Sequence, residues 1–358
     1  CVIDSSKQLL EDKDIYLVSY NMINYDNIFN QLMTKKYDII VCDEAHYLKS
    51  WSTKRSKRIL GTFKTTKTTL KNKTSKFLLM TGTPILNNVE ELYNLIIRIA
   101  PETMSNMTRQ NFIYTYAKYI QVTPWGLKHS GVKNATDLKR RLKTVMLSRK
   151  KIIGLSDRID KKIYLDSKNI QKLIAEEMKF LEEHNVDLNN LKNDLKISKM
   201  EMDKLAEVRQ RVAIAKIPTL LKALPDIKEK TTGFIIYCYH RKILEILSEK
   251  TGITDVIHGN VSNKKRNEII DKLNNNEIPG IIATIGALKE GVNITGINCQ
   301  IYLELDWTPA NIEQAIARIH RKGQKKDVYI YYFLYDNGID KYIETKLKNK
   351  QIMIDKVV

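Results

Sequence analysis

The chain has 358 residues, enough for two ordinary domains, and its 43% hydrophobic and 28% charged content excludes wholesale disorder. Its longest uncharged stretches, Phe77 to Val89 and Gly291 to Leu303, are 13 residues each and contain Thr, Asn and Gly; a membrane helix needs roughly 18 apolar residues, so an integral membrane protein is excluded. Sixty Lys and Arg against 41 Asp and Glu leave a net charge of +19, which predicts a polyanionic partner, nucleic acid first among them, with solvated lysines as the plain alternative.

Short apolar runs that end in small or polar residues punctuate the chain. Tyr37 to Cys42 leads into Asp43-Glu44-Ala45-His46, and Phe77 to Met80 leads into Thr81-Gly82-Thr83-Pro84. Between them, Gly61 to Lys76 carries five lysines and no acid, the composition of a phosphate-touching or simply solvated loop. Further runs are Gly233 to Cys238, Gly280 to Ala283, Ile301 to Leu305 and Val328 to Leu334. Continuous β-branched or aromatic runs of this length predict buried parallel strands. Helical patterns such as Val89 to Ile99 and Lys242 to Lys250 lie between them, so the fold class is α/β with doubly wound sheets. From 102 to about 205 strand signals are few, and 168–205 reads as exposed helices with mixed charges at helical spacing. The expected division is a first α/β lobe at 1–100, a helical insertion at 101–205 and a second α/β lobe at 206–358.

Three segments carry chemistry. Asp43 and Glu44 follow a buried strand, where open α/β sheets bind ligands. An Asp there suits a hydrated Mg²⁺, and a neighbouring Glu can deprotonate an attacking water; a pair of exposed acids at a turn is the alternative. Thr81-Gly82-Thr83-Pro84 supplies small hydroxyl groups at the next strand end, though alone it is an ordinary turn. Pro309 to about His320 predicts a helix with Thr308 as N-cap. Ile312, Ala315, Ile316 and Ile319 form its apolar face, and Gln314, Arg318 and Arg321 fall at i, i+4 and i+7 opposite. Two arginines and a glutamine there suit phosphate oxygens, or a solvated polar face. Cys1, Cys42, Cys238 and Cys299 form no C-x-x-C pair; they read as reduced thiols of an intracellular protein rather than a disulfide framework or zinc site.

In order and spacing these motifs resemble the Swi/Snf-type DNA translocases of helicase superfamily two. Asp43 to His46 is similar to motif II, and Leu78 to Pro84 continuing through Asn87 to Leu92 to motif III. Phe234 to His240, followed by Ile257-His258-Gly259 and Arg266, resembles motif IV; Ala283-Thr284 through Glu290 to Thr295 resembles motif V; Gln314 to Gln324 resembles motif VI. Ala215-Lys216-Ile217-Pro218 adds a likeness to the annealing-helicase branch. The resemblance implies two RecA-like parallel-sheet lobes, the first incomplete, with helical protrusions between them, and ATP and Mg²⁺ as cofactors. It implies Mg²⁺ binding by Asp43 and a general base in Glu44. Gly291, Gln314, Arg318 and Arg321 would line the nucleotide, the two arginines reaching its γ-phosphate. His46, Thr81, Gly82 and Thr83 would couple hydrolysis to lobe movement. Ser19, Tyr20, His240 and Thr284 would track double-stranded or branched DNA, inside a cell.

One departure is plain. No G-x-x-x-x-G-K-[ST] phosphate loop occurs in these residues. Together with an opening Cys1 in place of Met and no signal-peptide pattern, this leads to the expectation of an N-terminal truncation, and of a piece that hydrolyses ATP poorly by itself. Two rival readings remain at this stage. One is a DEAH-type RNA helicase, which shares Asp43 to His46; the other is a non-catalytic nucleic-acid-binding scaffold.

Overall fold

The computed structural model describes residues 1–62, 68–82, 88–123, 126–148, 154–183, 199–288, 292–306 and 309–357. Two compact units divide the chain, Cys1–Arg149 with Lys350–Val358, and Lys150–Asn349.

In the first unit strands are short. β1 (Val2–Ile3) pairs in parallel with β2 (Leu17–Val18), α1 (Asp26–Thr34) follows, and β3 (Ile40–Cys42) pairs in parallel with β4 (Phe77–Leu79) across α2 (Lys54–Leu60). Thr53 caps α2, its hydroxyl accepting the Ser56 N–H. Residues paired in register share a face. Ile3, Val18, Cys42 and Leu79 join a core with Ile28, Leu32, Leu48 and Ile59. Their in-register neighbours point away: Val2 and Leu17 are 63% and 60% exposed, Val41 and Leu78 47% and 46%. Parallel strands are ordinarily covered on both faces; here one face is covered.

A second core in this unit is formed by α3 (Glu90–Ile99), α4 (Arg109–Tyr116), the hairpin β5 (Tyr119–Thr123) and β6 (Gly126–Ser130), and α5 (Ala135–Leu142). Leu92, Tyr93, Phe112, Ile113, Tyr116 and Leu138 fill it. Glu90, in the first turn of α3, is buried with its Oε2 2.8 Å from His129 Nε2 and its Oε1 accepting from Arg109 Nε. These bonds tie the hairpin and α4 to the start of α3.

The second unit is a six-stranded, all-parallel sheet in the order β7-β12-β11-β8-β10-β9. Its strands are β7 (Arg158–Leu165), β8 (Phe234–Cys238), β9 (Val256–Ile257), β10 (Gly280–Thr284), β11 (Cys299–Tyr302) and β12 (Val328–Tyr335). α6 (Gln171–Glu183) and α7 (Lys199–Lys230) precede β8; α8 (Arg241–Thr251), α9 (Asn263–Asn274), α10 (Ile285–Leu288), α11 (Pro309–Ile316) and α12 (Gly338–Val357) follow in chain order. β8 and β11 are buried throughout, as an α/β sheet with both faces covered requires. One core packs Tyr237, Tyr302, Ile312, Ala315 and Ile319; the other packs Ile236 and Ile301 against Ala213, Ile217, Leu220, Leu224 and Ile227 of α7. Tyr237, Tyr302 and Tyr332 stack across three adjacent strands at 5.0 and 5.4 Å.

The α/β class with parallel sheets is therefore the observed one, with three local corrections. First, the segment 101–205 holds the strands β5, β6 and β7 beside its helices. β5 and β6 alternate polar and apolar residues, and β7 is a charged edge strand paired to β12 alone; neither shows the continuous apolar run of a central strand. Second, α7 runs through both 206 and two internal prolines, Pro218 and Pro225. An internal proline costs about 3 kcal/mol, and the buried stripe at 213, 217, 220, 224 and 227 offsets it. Third, α11 ends at Ile316 rather than His320. The bonds Arg318 N–H to Ala315 O and Ile319 N–H to Ile316 O tighten the chain, and Arg318 O accepts from Ile294 N–H at 3.1 Å.

Burial opposes charge on Glu90, but the His129 and Arg109 bonds outweigh it and hold its carboxyl at about 2. A depressed carboxyl stabilises the fold above its unfolded value near 4.5, and the contribution is lost as pH falls toward 2. The expected outcome is an acid limb between pH 4.5 and 2, worth up to about 3 kcal/mol, which E90Q flattens. Thermal melts followed by circular dichroism across that range check it, and equal limbs in both proteins would contradict it.

Candidate functional site

Parallel pairing of β3 and β4 brings two loops together at their carboxyl ends. Met80 N–H donates to Cys42 O at 2.9 Å, and Ala45 N–H donates to Met80 O at 2.8 Å. Asp43 is exposed, with Oδ1 accepting the Glu44 N–H at 2.9 Å. Glu44 has φ 47° and ψ 48°, a left-handed backbone that costs a non-glycine residue about 1–2 kcal/mol. This bend turns the chain into the 3₁₀ turn Ala45–Leu48. Within it His46 is buried, its Nδ1 3.0 Å from Glu44 Oε2 and 3.4 Å from Thr81 Oγ1. Lys49 Nζ reaches Glu91 Oε1 of α3 at 2.7 Å.

Tyr20 closes this loop from the β2 side. Its hydroxyl donates to Asp43 O at 2.6 Å, and its ring lies 5.9 Å from that of Tyr47. Burial, then Cys42, raises its phenol, so it stays a donor. Ser19 is exposed and its Oγ accepts the Met22 N–H at 3.3 Å. Thr83 lies outside the described residues, as do Thr308 and Gly291; Gly82 is described, at the end of the second loop.

In the second unit the carboxyl ends of β8, β10 and β11 lie side by side, with Thr284 in register with Cys238 and Tyr302 with Tyr237. His240 and Thr284 thus share one sheet edge. Gln314 lies on α11, whereas Arg318 and Arg321 follow its end, so the three do not share one helical face. All three are half-buried. Arg318 Nη1 donates to Val292 O at 3.5 Å. Buried amides hold this segment on the sheet: Gln300 Nε2 donates to Ala315 O at 2.8 Å, and Gln324 Nε2 to Ile297 O at 2.7 Å.

Sequence reasoning did not find a set of buried charges along the same edge. Glu304 Oε2 accepts the N–H groups of Tyr239 and His240 at 2.9 and 3.0 Å, and its Oε1 faces His240 Nδ1 at 2.6 Å. Lys216, 1% exposed, donates to Leu303 O at 3.0 Å and pairs with Asp340 at 2.5 Å. Arg209 donates to Leu305 O at 3.0 Å with its guanidinium 4.9 Å from the Tyr239 ring centre. Glu177 Oε2 accepts Ile339 N–H at 3.0 Å. Gly338, at φ 62°, leaves room for that carboxylate, which a Cβ would meet at 2.7 Å. The available signals were Glu304 and Asp306 interrupting an apolar run, and cations at 209 and 216, seven apart on one helix stripe.

Asp43 suits Mg²⁺. Among the described residues no group of three or more His, Cys, Asp or Glu stands together as metal ligands. A single exposed carboxylate at a strand end is the donor set of an ion that keeps most of its water.

Residues 3–232 match the SNF2-related domain and residues 215–323 the helicase conserved C-terminal domain. The chain belongs to the SNF2-related family. It is similar to the SWI/SNF-related matrix-associated actin-dependent regulator of chromatin subfamily A-like protein 1 of Xenopus tropicalis, 26% identical over 92% of this chain and 34% of that protein. It is also similar to the human DNA annealing helicase and endonuclease ZRANB3, 23% identical over 91% of this chain and 30% of that protein. Among the first of these relatives the SNF2-related chain spans about a third to a half of their length. A solved Sulfolobus solfataricus SWI2/SNF2 ATPase core in complex with dsDNA aligns over 99% of this chain and 76% of that one, at 22% identity and a TM-score of 0.40. Among the described residues no helix is long and apolar enough to cross a membrane.

Burial pushes the Glu177 carboxyl up to about 7. A raised carboxyl makes its full contribution below the unfolded value near 4.5 and loses it as pH rises toward 7. E177Q keeps an acceptor for Ile339 N–H without the charge. It is expected to melt above wild type at pH 8, by up to about 3 kcal/mol in stability, with the gap closing by pH 4. A pH-independent gap in the melting curves would count against the assignment.

Proposed function

We propose that this SNF2-related protein is an ATP-driven translocase on double-stranded or branched DNA, working inside the cell where that DNA lies. Support comes chiefly from the joined loops of the first unit. One carboxylate stands exposed, a second lies 3.0 Å from Nδ1 of a buried histidine, and the same nitrogen lies 3.4 Å from the hydroxyl of the next loop. The first unit is the proposed ATP-binding lobe and the second the helicase C-terminal lobe.

In this reading Asp43 would hold Mg²⁺, which would neutralise charge on the phosphates of a bound ATP. Glu44 takes a proton from the attacking water on its carboxylate, with His46 Nδ1 at Oε2 setting its direction. His46, Thr81, Gly82 and Thr83 carry a shift at Glu44 to the β4 loop, since His46 touches both loops. Gly291 and Gln314 line the nucleotide, and Arg318 and Arg321 offer forked donors to phosphate oxygens. Ser19, Tyr20, His240 and Thr284 contact DNA. For Tyr20 the support is its bond to the backbone oxygen of Asp43, the proposed metal ligand itself. The motif III and motif VI residues favour this reading over a DEAH-type RNA helicase.

A protein restricted to these 358 residues lacks the phosphate-loop motif and is expected to hydrolyse ATP near background. In any form of the protein that hydrolyses ATP, duplex DNA is expected to stimulate it more than RNA, and E44Q should lower kcat roughly 10²–10⁴-fold with nucleotide binding retained. Phosphate-release assays with both nucleic acids check this; brisk, Glu44-dependent turnover by the 358 residues alone overturns the first part, and RNA preference the second.

Binding to duplex DNA is expected to be steeply salt-dependent. With 6–10 phosphate contacts, affinity falls roughly 10³–10⁵-fold between 50 and 200 mM salt. Fluorescence anisotropy over that range checks it, and a flat profile excludes phosphate tracking.

A further inference from the structure

We propose that Glu304 is the positioning residue for His240, fixing its imidazole so that only Nε2 is offered to a phosphate oxygen of DNA. The inference rests on the reading of His240 as a DNA contact.

Glu304 is 3% exposed and lies two residues past the end of β11. Its carboxylate receives three hydrogen bonds from the segment that follows β8. Two come from the Tyr239 and His240 N–H groups to Oε2, and the third joins Oε1 to the His240 ring. Burial, the largest single influence, raises the Glu304 carboxyl, but the hydrogen bonds and charge of His240 together with the charge of Arg209 outweigh it, so it lies below the ordinary range. Such a group is an ionised carboxylate that only accepts. The ring nitrogen facing it at 2.6 Å must therefore carry hydrogen, which assigns the proton to Nδ1.

The consequence concerns the other nitrogen. In a neutral ring with Nδ1–H, Nε2 is an acceptor and repels a phosphate oxygen; with a second proton both nitrogens donate. With Nδ1 held by Glu304, Nε2 is the one ring nitrogen left to meet a phosphate oxygen, and it does so as a donor. The added proton comes from solvent. Glu304 itself is held in place on both sides, because Lys216 binds Leu303 O and Arg209 binds Leu305 O. The charged groups around the pair are thus Arg209 and Lys216 from α7 and Asp306 from the same loop. Lysine 216 and Asp340 tie the set to the start of α12.

The test is nitrogen NMR on protein labelled with ¹⁵N-histidine, titrated with a short duplex, alongside affinities for E304Q, H240A and the double variant. DNA-free wild type should show His240 with hydrogen on Nδ1, and added duplex should shift the Nε2 resonance while Nδ1 keeps its hydrogen. E304Q and H240A should each weaken duplex binding about tenfold, and the double variant should be no weaker than either alone, as for two groups acting as one. Duplex binding with unchanged His240 shifts, or fully additive losses, overturns the inference and leaves the DNA reading standing. No duplex binding by wild type overturns both. The wild-type titration needs no substitution, so it decides the matter even where E304Q fails to fold.

Discussion

Parallel pairing gathers the carboxyl ends of neighbouring strands on one edge, and both units depend on that constraint. In the first unit two in-register strands of three residues each suffice to set the Asp43–His46 loop against Thr81. In the second, six parallel strands do the same for the loops carrying His240, Thr284 and Glu304. Each edge is reinforced by side chains that bond to carbonyl groups of the loop backbone. Tyr20 binds Asp43 O, Lys216 binds Leu303 O and Arg209 binds Leu305 O.

Those reinforcing groups are costly to bury. A buried cation or carboxylate is tolerated when its partners replace water, and removing one partner strands the other. Lys216 has a carboxylate and a carbonyl, and Glu304 has three donors. Their partners are loop groups at the sheet edge, not the apolar strands below, which are held by burial and stacked tyrosines. The two kinds of interaction are segregated: apolar contacts within the sheet, buried charge at its carboxyl end.

The two loops of the first unit show how local strain and tertiary contact combine. Glu44 adopts a left-handed backbone, and the cost is met by what the bend achieves, since it puts a buried histidine within reach of both loops. The bare apolar face of the same strands, carrying Val2, Leu17, Val41 and Leu78, contrasts with the second unit, where β8 and β11 are buried along their whole length.

Central strands and the loops after them were legible from residues alone, because a fully buried strand leaves a continuous apolar run and its end is marked by the residues that break it. Tyr37 to Cys42, Phe77 to Met80, Gly233 to Cys238 and Gly280 to Ala283 all overlap observed strands, and the motif resemblance and the family matches agree. Edge and hairpin strands were not legible, since β7 leaves Asp160, Lys161 and Lys162 in solvent and shows no continuous apolar run. The end of α11 was not legible either. It is set by a backbone bond from Ile294, a partner more than twenty residues away that no local pattern encodes. The sequence by itself determined the family, the strand cores and the acidic and basic motifs, because these are local runs of residue type. Only the tertiary structure decided which groups meet: His46 with Thr81, Glu304 with His240, Lys216 with Asp340. Such pairings depend on strand order and on a helix stripe reaching a distant carbonyl, and both come from packing rather than from neighbours in the chain.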